Sequence, residues 1–317
     1  MGGDPSSPMT TRFMRPVGSI ADIVALERLP YDAVVPARNL YNLFEATARV
    51  HPDRQALTVL TPGESREVSL THRQLLAGIS RAANLFRASG IGPDGPTVAF
   101  LCPSLPPVFP ALLGAQVAGV ASSINYLLNE DAIVDLLEAQ NAALLVIPSE
   151  ADDPAIWHKA NKVAARVGSL QKILVLGESR DATGRLIAFD EAASRQRDVL
   201  DFEPSNDRRS LFHTGGTTGR PKLVRLTHGN QIHAAWGFAQ VHGLDELDIM
   251  LNGFPLFHVG GTMTAGLSIL AAGGHVIIPS PYALRSPEVI RDYWHTVARH
   301  RVTIASGVPT SIAALAE

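Results

Sequence analysis

The chain has 317 residues, 46% of them hydrophobic, and a formal net charge of -3. That length accommodates about two domains with a large apolar core, and the near-neutral balance gives no general drive toward nucleic acid. Its single cysteine, Cys102, excludes an intramolecular disulfide and a cysteine-built zinc site, and within the apolar run Val98–Cys102 it reads as a small buried hydrophobe.

The opening residues lack the basic-then-apolar order of a secretory leader. Gly2 and Ser6 give only a short myristoylation-like match that contains Pro5. No stretch reaches the ~20 apolar residues of a membrane span, the nearest being 108–121 and 262–279. A cytoplasmic protein is expected. Residues 1–36 carry several prolines and little periodicity, and read as an extended arm with one short helix over Ile20–Leu29. Leu40, Leu43, Phe44 and Thr47 then fall at helical spacing. Ala56–Leu60 and Glu67–Leu70 flank the turn signal Pro62-Gly63 and predict a hairpin. Thr71 with Gln74 forms a capping-box pattern, opening a helix that buries Leu75, Ile79, Ala82, Ala83 and Phe86 and ends near Gly90. Strand 97–102, helix 107–119, helix 130–140, strand 143–147, helix 154–167 and strand 172–176 come next. Apolar strands alternating with helices imply a parallel sheet covered on both faces.

Residues 178–208 are polar and read as a linker. Beyond the next strand, helix 229–242 presents Ile232, Ala235, Trp236 and Ala239, and strand 249–254 leads into Pro255–Gly261. Helix 262–272 ends at Gly273-Gly274 and strand 275–279 comes after it. Ser286 and Pro287 start a helix expected to bury Val289, Ile290, Tyr293, Trp294 and Val297. Strand 302–305 leads to Ser306–Thr310 and the first turns of a last helix. His295 and His300, five apart, do not share a helix face and make no metal pair.

The chemistry is concentrated in Ser210–Val224. Thr214, Gly215, Gly216, Thr217, Thr218 and Gly219 lie between two apolar runs, with Lys222 just after them. Glycine allows a sharp bend and close approach to a ligand, successive N–H groups can line a hollow for a phosphate, and the threonines and Lys222 add donors and a charge. The Walker pattern fails, because Lys222 stands three residues beyond Gly219 with Pro221 between them. Pro221 also disfavours a helical Arg220, so the loop is expected to join strands 209–213 and 222–227 rather than open a helix. A ligand-free threonine-rich hairpin is the alternative.

At these residues the chain resembles the adenylate-forming superfamily of acyl-CoA and aryl-CoA synthetases, peptide-synthetase adenylation domains and luciferases. The usual pattern is aromatic-Thr-Ser-Gly-Thr-Thr-Gly-x-Pro-Lys-Gly. Here Gly215 stands in place of the serine, Leu223 in place of the last glycine, and His213 in place of the aromatic residue. Pro255-Leu256-Phe257-His258 resembles a second family motif beside the acyl pocket, and Val308-Pro309-Thr310 the start of another pocket wall.

The resemblance covers about residues 39–317. It implies a layered αβα fold with largely parallel sheets, made of two subdomains of the adenylate-forming N-terminal domain, with the C-terminal part missing. The expected division is an arm over 1–36, a first subdomain over 37–204 and a second over 205–317 that carries the phosphate loop. The implied activity is that of an ATP-dependent acyl-CoA synthetase using ATP, magnesium and coenzyme A on a small carboxylic acid. Thr214–Gly219 and Lys222 would hold phosphates, and His258 would hold the carboxylate or gate the acyl tunnel. As an N-terminal portion, the chain is expected to be inactive alone and able to dimerise. A non-catalytic nucleotide-binding module and an amino-acid or aryl adenylation unit remain alternatives.

Overall fold

The computed structural model describes residues 17–35, 37–61, 67–177, 185–206, 209–214 and 221–315. Its strands, in chain order, are β1 (Gln55–Leu60), β2 (Glu67–Thr71), β3 (Thr97–Phe100), β4 (Val120–Ser123), β5 (Ala142–Pro148), β6 (Lys172–Leu176), β7 (Leu186–Ala188), β8 (Arg209–Thr214), β9 (Lys222–Thr227), β10 (Ile249–Asn252), β11 (His275–Ile278) and β12 (Ile304–Ser306). Among the described residues they form a seven-stranded sheet, β7-β6-β5-β3-β4-β8-β9, and a five-stranded sheet, β12-β10-β11-β1-β2. Both are parallel except at one edge, where β9 runs antiparallel to β8 and β2 antiparallel to β1.

The apolar pattern explains the layering. Every residue of β5 is buried, as expected for a parallel strand with helices on both faces. Helices Leu40–Val50, His72–Ala88, Val108–Ala118 and His228–His242 share one core with Leu57 and Val276 of the smaller sheet and Val98 and Phe100 of the larger. Helices Glu130–Ala139 and Pro154–Ala164 cover the outer face of the larger sheet with Leu136, Leu137 and Ile156. Pro287–Arg291 and Tyr293–His300 cover the smaller one through Val289 and Tyr293. The result is two αβα sandwiches that share their middle helical layer. Within that layer Val108–Ala118 is buried on every side. A Cβ on Gly114 would lie 2.6 Å from the Ala82 Cβ, so this glycine lets two helices approach closely. Thr71 and Gln74 make the capping box that their spacing predicts. No helix among the described residues is long and apolar enough to cross a membrane.

The two sheets interleave along the chain: β8 pairs with β4 and extends the larger sheet, while β10, β11 and β12 complete the smaller sheet begun by β1 and β2. Several expectations are corrected. Part of the polar stretch 178–208 is structured. It contributes β7 and the helix Phe189–Ser194, which buries Phe189 and Ala193. Asn84 then clamps the turn beyond that helix, donating to Val199 O at 2.8 Å and accepting from Asp201 N at 3.0 Å. In the arm, Ile20–Glu27 and Tyr31–Val34 are helical. Trp294 is 66% exposed, because the expected helix breaks at Asp292 and the second half starts in a new phase. Ser286 does not cap that helix; its hydroxyl donates to Glu288 instead. The segment after His258 begins as a π-helix, Gly260–Leu267, before one α-helical turn, Ser268–Ala271. The Pro62-Gly63 turn lies outside the described residues.

Candidate active site

Ligands of open α/β sheets bind beyond the carboxyl ends of the strands, and here the two sheets bring those ends together. Ser104, after β3, donates its N–H to Pro281 O, after β11, at 2.7 Å. Tyr282 Oη donates to Asp153 Oδ2, after β5, at 2.6 Å. Phe257, after β10, packs against His213 at the end of β8 (6.4 Å between ring centres) and edge-on to Tyr126, after β4 (5.4 Å).

The expected phosphate loop leaves this region from β8 and returns as β9. The antiparallel register pairs Thr214 with Lys222, so the exposed hydroxyl-bearing and cationic residues stand opposite each other at the neck of the loop. Gly215, Gly216, Thr217, Thr218 and Gly219 lie outside the described residues.

His258 is placed by a segment pinned from behind. Asn252, fully buried at the end of β10, donates its side-chain N–H to Gly261 O at 2.8 Å and accepts from Phe254 N at 3.2 Å. Thr262 Oγ1 donates to Leu256 O at 2.7 Å. A Cβ on Gly261 would lie 2.4 Å from Pro255 O, so only glycine permits this fold-back. The His258 ring is exposed, lies alongside Phe254, and accepts the Gly260 N–H on Nδ1 at 3.0 Å. A backbone N–H can only donate, so the ring proton sits on Nε2 and faces outward as a donor.

His213 repeats this logic with the nitrogens exchanged. Its Nε2 accepts the Asn125 N–H at 3.0 Å, which leaves the proton on Nδ1. Burial, and then the neighbouring His258, hold its basicity below the ordinary histidine value. Asn125 itself is fixed by an Asx turn, accepting from Leu127 N at 2.9 Å. Lys159 reaches over to donate to Tyr126 O and Leu128 O at 2.7 and 3.1 Å. Beyond Tyr126 and Tyr282, whose rings meet edge-on at 6.2 Å, opens a cavity of about 680 Å³ that Lys159 and Arg285 also line. Burial pushes the Tyr126 hydroxyl up to about 12.

Thr214, Lys222 and His258 thus join His213 and Phe257 in one region. Val308-Pro309-Thr310 only starts the helix Pro309–Ala314, which buries no residue. Asn125, Tyr126, Asn252 and Tyr282 were not singled out from the sequence. Asn252 and Tyr282 have one sequence signal, a place at or just after an apolar strand; Asn125 and Tyr126 follow β4, whose Val-Ala-Ser-Ser sequence gives none. Among the described residues no group of three or more His, Cys, Asp or Glu could hold a metal ion; a magnesium ion arriving with a nucleotide is held mainly by the phosphates and water and does not need such a group.

Comparison with known proteins agrees with this geometry. The chain is 29% identical over 313 residues to the marinolic acid–CoA ligase of a Pseudoalteromonas species, covering 95% of this chain and 47% of that protein. It is 26% identical to the crotonobetaine/carnitine–CoA ligase of Citrobacter koseri, covering 89% and 53%. The chain therefore spans about half the length of these relatives. Among solved structures, the anthranilate CoA ligase AuaEII in complex with anthranoyl-AMP shares the fold at a TM-score of 0.73 and 24% identity, over 87% of this chain and 51% of that one. The inhibitor-bound N-terminal domain of FACL13 from Mycobacterium tuberculosis does so at 0.71 and 21%, over 89% and 65%. The family model of AMP-binding enzymes matches residues 44–317, and the chain belongs to the AMP-binding enzyme family.

Proposed function

We propose that this chain is the carboxylate-activating portion of a cytoplasmic ATP-dependent acyl-CoA ligase. The observation that carries the reading is the placement of the Thr214–Lys222 loop neck beside His213, Phe257 and His258, at the joined carboxyl ends of both sheets. The relatives' names, ligases of marinolic acid and of crotonobetaine or carnitine, point the same way.

In the first step a carboxylate oxygen attacks the α-phosphorus of ATP, the bond to the pyrophosphate leaving group breaks, and an acyl-adenylate forms. In the second a thiol sulfur attacks the acyl carbon and AMP leaves. Both steps depend on position and charge neutralisation more than on covalent help. N–H and O–H donors of Thr214–Gly219 hold the β- and γ-phosphates, and Lys222 offsets their charge. The outward Nε2–H of His258 holds the substrate carboxylate. Neither His258 nor His213 acts as a base, because each already accepts a backbone N–H on its unprotonated nitrogen. The thiol proton therefore goes to solvent.

The test is pyrophosphate release with ATP, magnesium, coenzyme A and a panel of fatty, hydroxy and aromatic acids, together with ATP binding by the same proteins. In a longer protein competent for catalysis, Thr217→Ala and Gly219→Val are expected to lower ATP use by about 10²–10³ while the fold persists. Unchanged ATP binding and kinetics in both variants would sink the loop assignment. Turnover near 1 s⁻¹ or faster by the 317 residues alone, the pace of ordinary enzymes, would overturn the view that they need the rest of a longer ligase.

A further inference from the structure

The two histidines present an imbalance. His258 offers Nε2–H and His213 offers Nδ1–H, and both are locked as donors by the backbone N–H groups of Gly260 and Asn125. The Nδ1–H of His213 has no partner among the described residues, although the ring is half-buried with Phe257 alongside it at 6.4 Å and 23°. Water can reach this donor, so a ligand that covers it must supply an acceptor or bind more weakly. Its immediate neighbours are the Phe257 ring, which offers no lone pair, and His258, whose free nitrogen is a second donor. Two donors with no acceptor between them among the described residues complement a ligand that presents two oxygen acceptors. One is the carboxylate common to every substrate of the proposed reaction.

We propose that His213 is a specificity-determining residue, and that its Nδ1–H selects carboxylic acids carrying a hydroxyl or oxo oxygen a few carbons from the carboxyl group. The inference rests on the ligase reading above. Phe257 lies in sequence next to His258 and in space against His213, so an acid held by His258 runs its first carbons along the Phe257 ring and brings a substituent at the second or third carbon to His213. A plain alkyl chain in the same place leaves the donor buried and unpaired, which is how a hydrogen-bonding site rejects an analogue lacking the polar group.

The experiment measures affinity by calorimetry for non-hydrolysable acyl-sulfamoyl adenosines whose acyl groups have one length and are unsubstituted, 2-hydroxy, 3-hydroxy or 3-oxo. The proteins are the unaltered chain, His213→Phe and His213→Gln. His213→Phe keeps a flat ring against Phe257 and removes both nitrogens; His213→Gln keeps one acceptor and one donor. The expected result is a preference of about tenfold or more for at least one oxygenated analogue in the unaltered chain, the equivalent of one net hydrogen bond. That preference falls to about one in His213→Phe and returns in part in His213→Gln. A purely structural role for His213 would weaken all analogues alike and leave the ratio standing, which would overturn the proposal, as would equal affinities in the unaltered chain. If the folded chain binds no sulfamoyl adenosine at all, the ligase reading itself falls and this inference with it.

Discussion

Acid is expected to unfold this protein through two buried histidines far from the site. His72, 2% exposed, opens the helix His72–Ala88 and its Nε2 lies 3.1 Å from Gly273 O. His275, on β11, has its Nε2 2.8 Å from Thr58 Oγ1. Burial is the main reason both fall from 6.5 to about 4; His51 and Arg54 add to it at His72, and His300 and His72 at His275. Since the folded values are depressed, the unfolded chain takes up these protons first. Stability is therefore full above about 6.5, declines as pH falls below it, and stops declining from this cause below about 4. For one such histidine the linkage integral between pH 7 and pH 4.5 is on the order of 2 kcal/mol. His72→Gln keeps an amide N–H for Gly273 O but does not titrate. Urea unfolding of the parent and of this variant across pH 7 to 4.5 should show the variant losing roughly 2 kcal/mol less, or a few degrees less in Tm for a chain of this size. An identical pH dependence in the two proteins would refute the assignment.

Gly114→Val places a branched side chain against the Ala82 Cβ and the Ile79 carbonyl in the middle layer, and should cost at least about 1–3 kcal/mol in denaturant unfolding; a neutral result would mean that the helices are free to separate. If His258 holds the acid as proposed, His258→Ala is expected to change acid selectivity or the adenylation rate while leaving ATP affinity within about twofold of the parent, since the lost donor would face the acid rather than the phosphates. Equal acid selectivity and rate in parent and variant would remove His258 from the acid site.

Much of the fold follows from local patterns. The capping box at Thr71, the all-apolar β5 and the β8–β9 pairing around the glycine-threonine loop could all be read because each is decided within a short stretch of chain. The features that could not be read depended on neighbours from elsewhere in the chain. β4, Val120–Ser123, is a four-residue strand directly behind a wholly buried helix, and no change of period marks where one ends and the other begins. Trp294 sits at a helical core position, but a break at Asp292 turns it to solvent. The π-helical start at Gly260 depends on Gly261 fitting under the Pro255 carbonyl, a contact made by a bend that no periodicity anticipates.

The site was legible as motifs and illegible as an arrangement. The phosphate loop and the Pro255–His258 stretch announce themselves because glycine clusters and a histidine after a strand are rare enough to notice. Their relation is a different matter, since it is set by contacts between residues 88 apart, Asn125 with His213, and 129 apart, Asp153 with Tyr282. Those contacts exist because a shared helical layer holds the two sheets so that their strand ends face each other. This also gives His213 its meaning. In the sequence it is one departure from an aromatic position. In the fold it keeps the ring stacking on Phe257 that an aromatic residue would supply, and it adds a nitrogen that accepts from Asn125 and a second that is left to donate. A residue that preserves packing while adding a donor can change what a pocket recognises without changing how the chain folds, so under the proposed function the end of β8 is the place to test for acid selectivity.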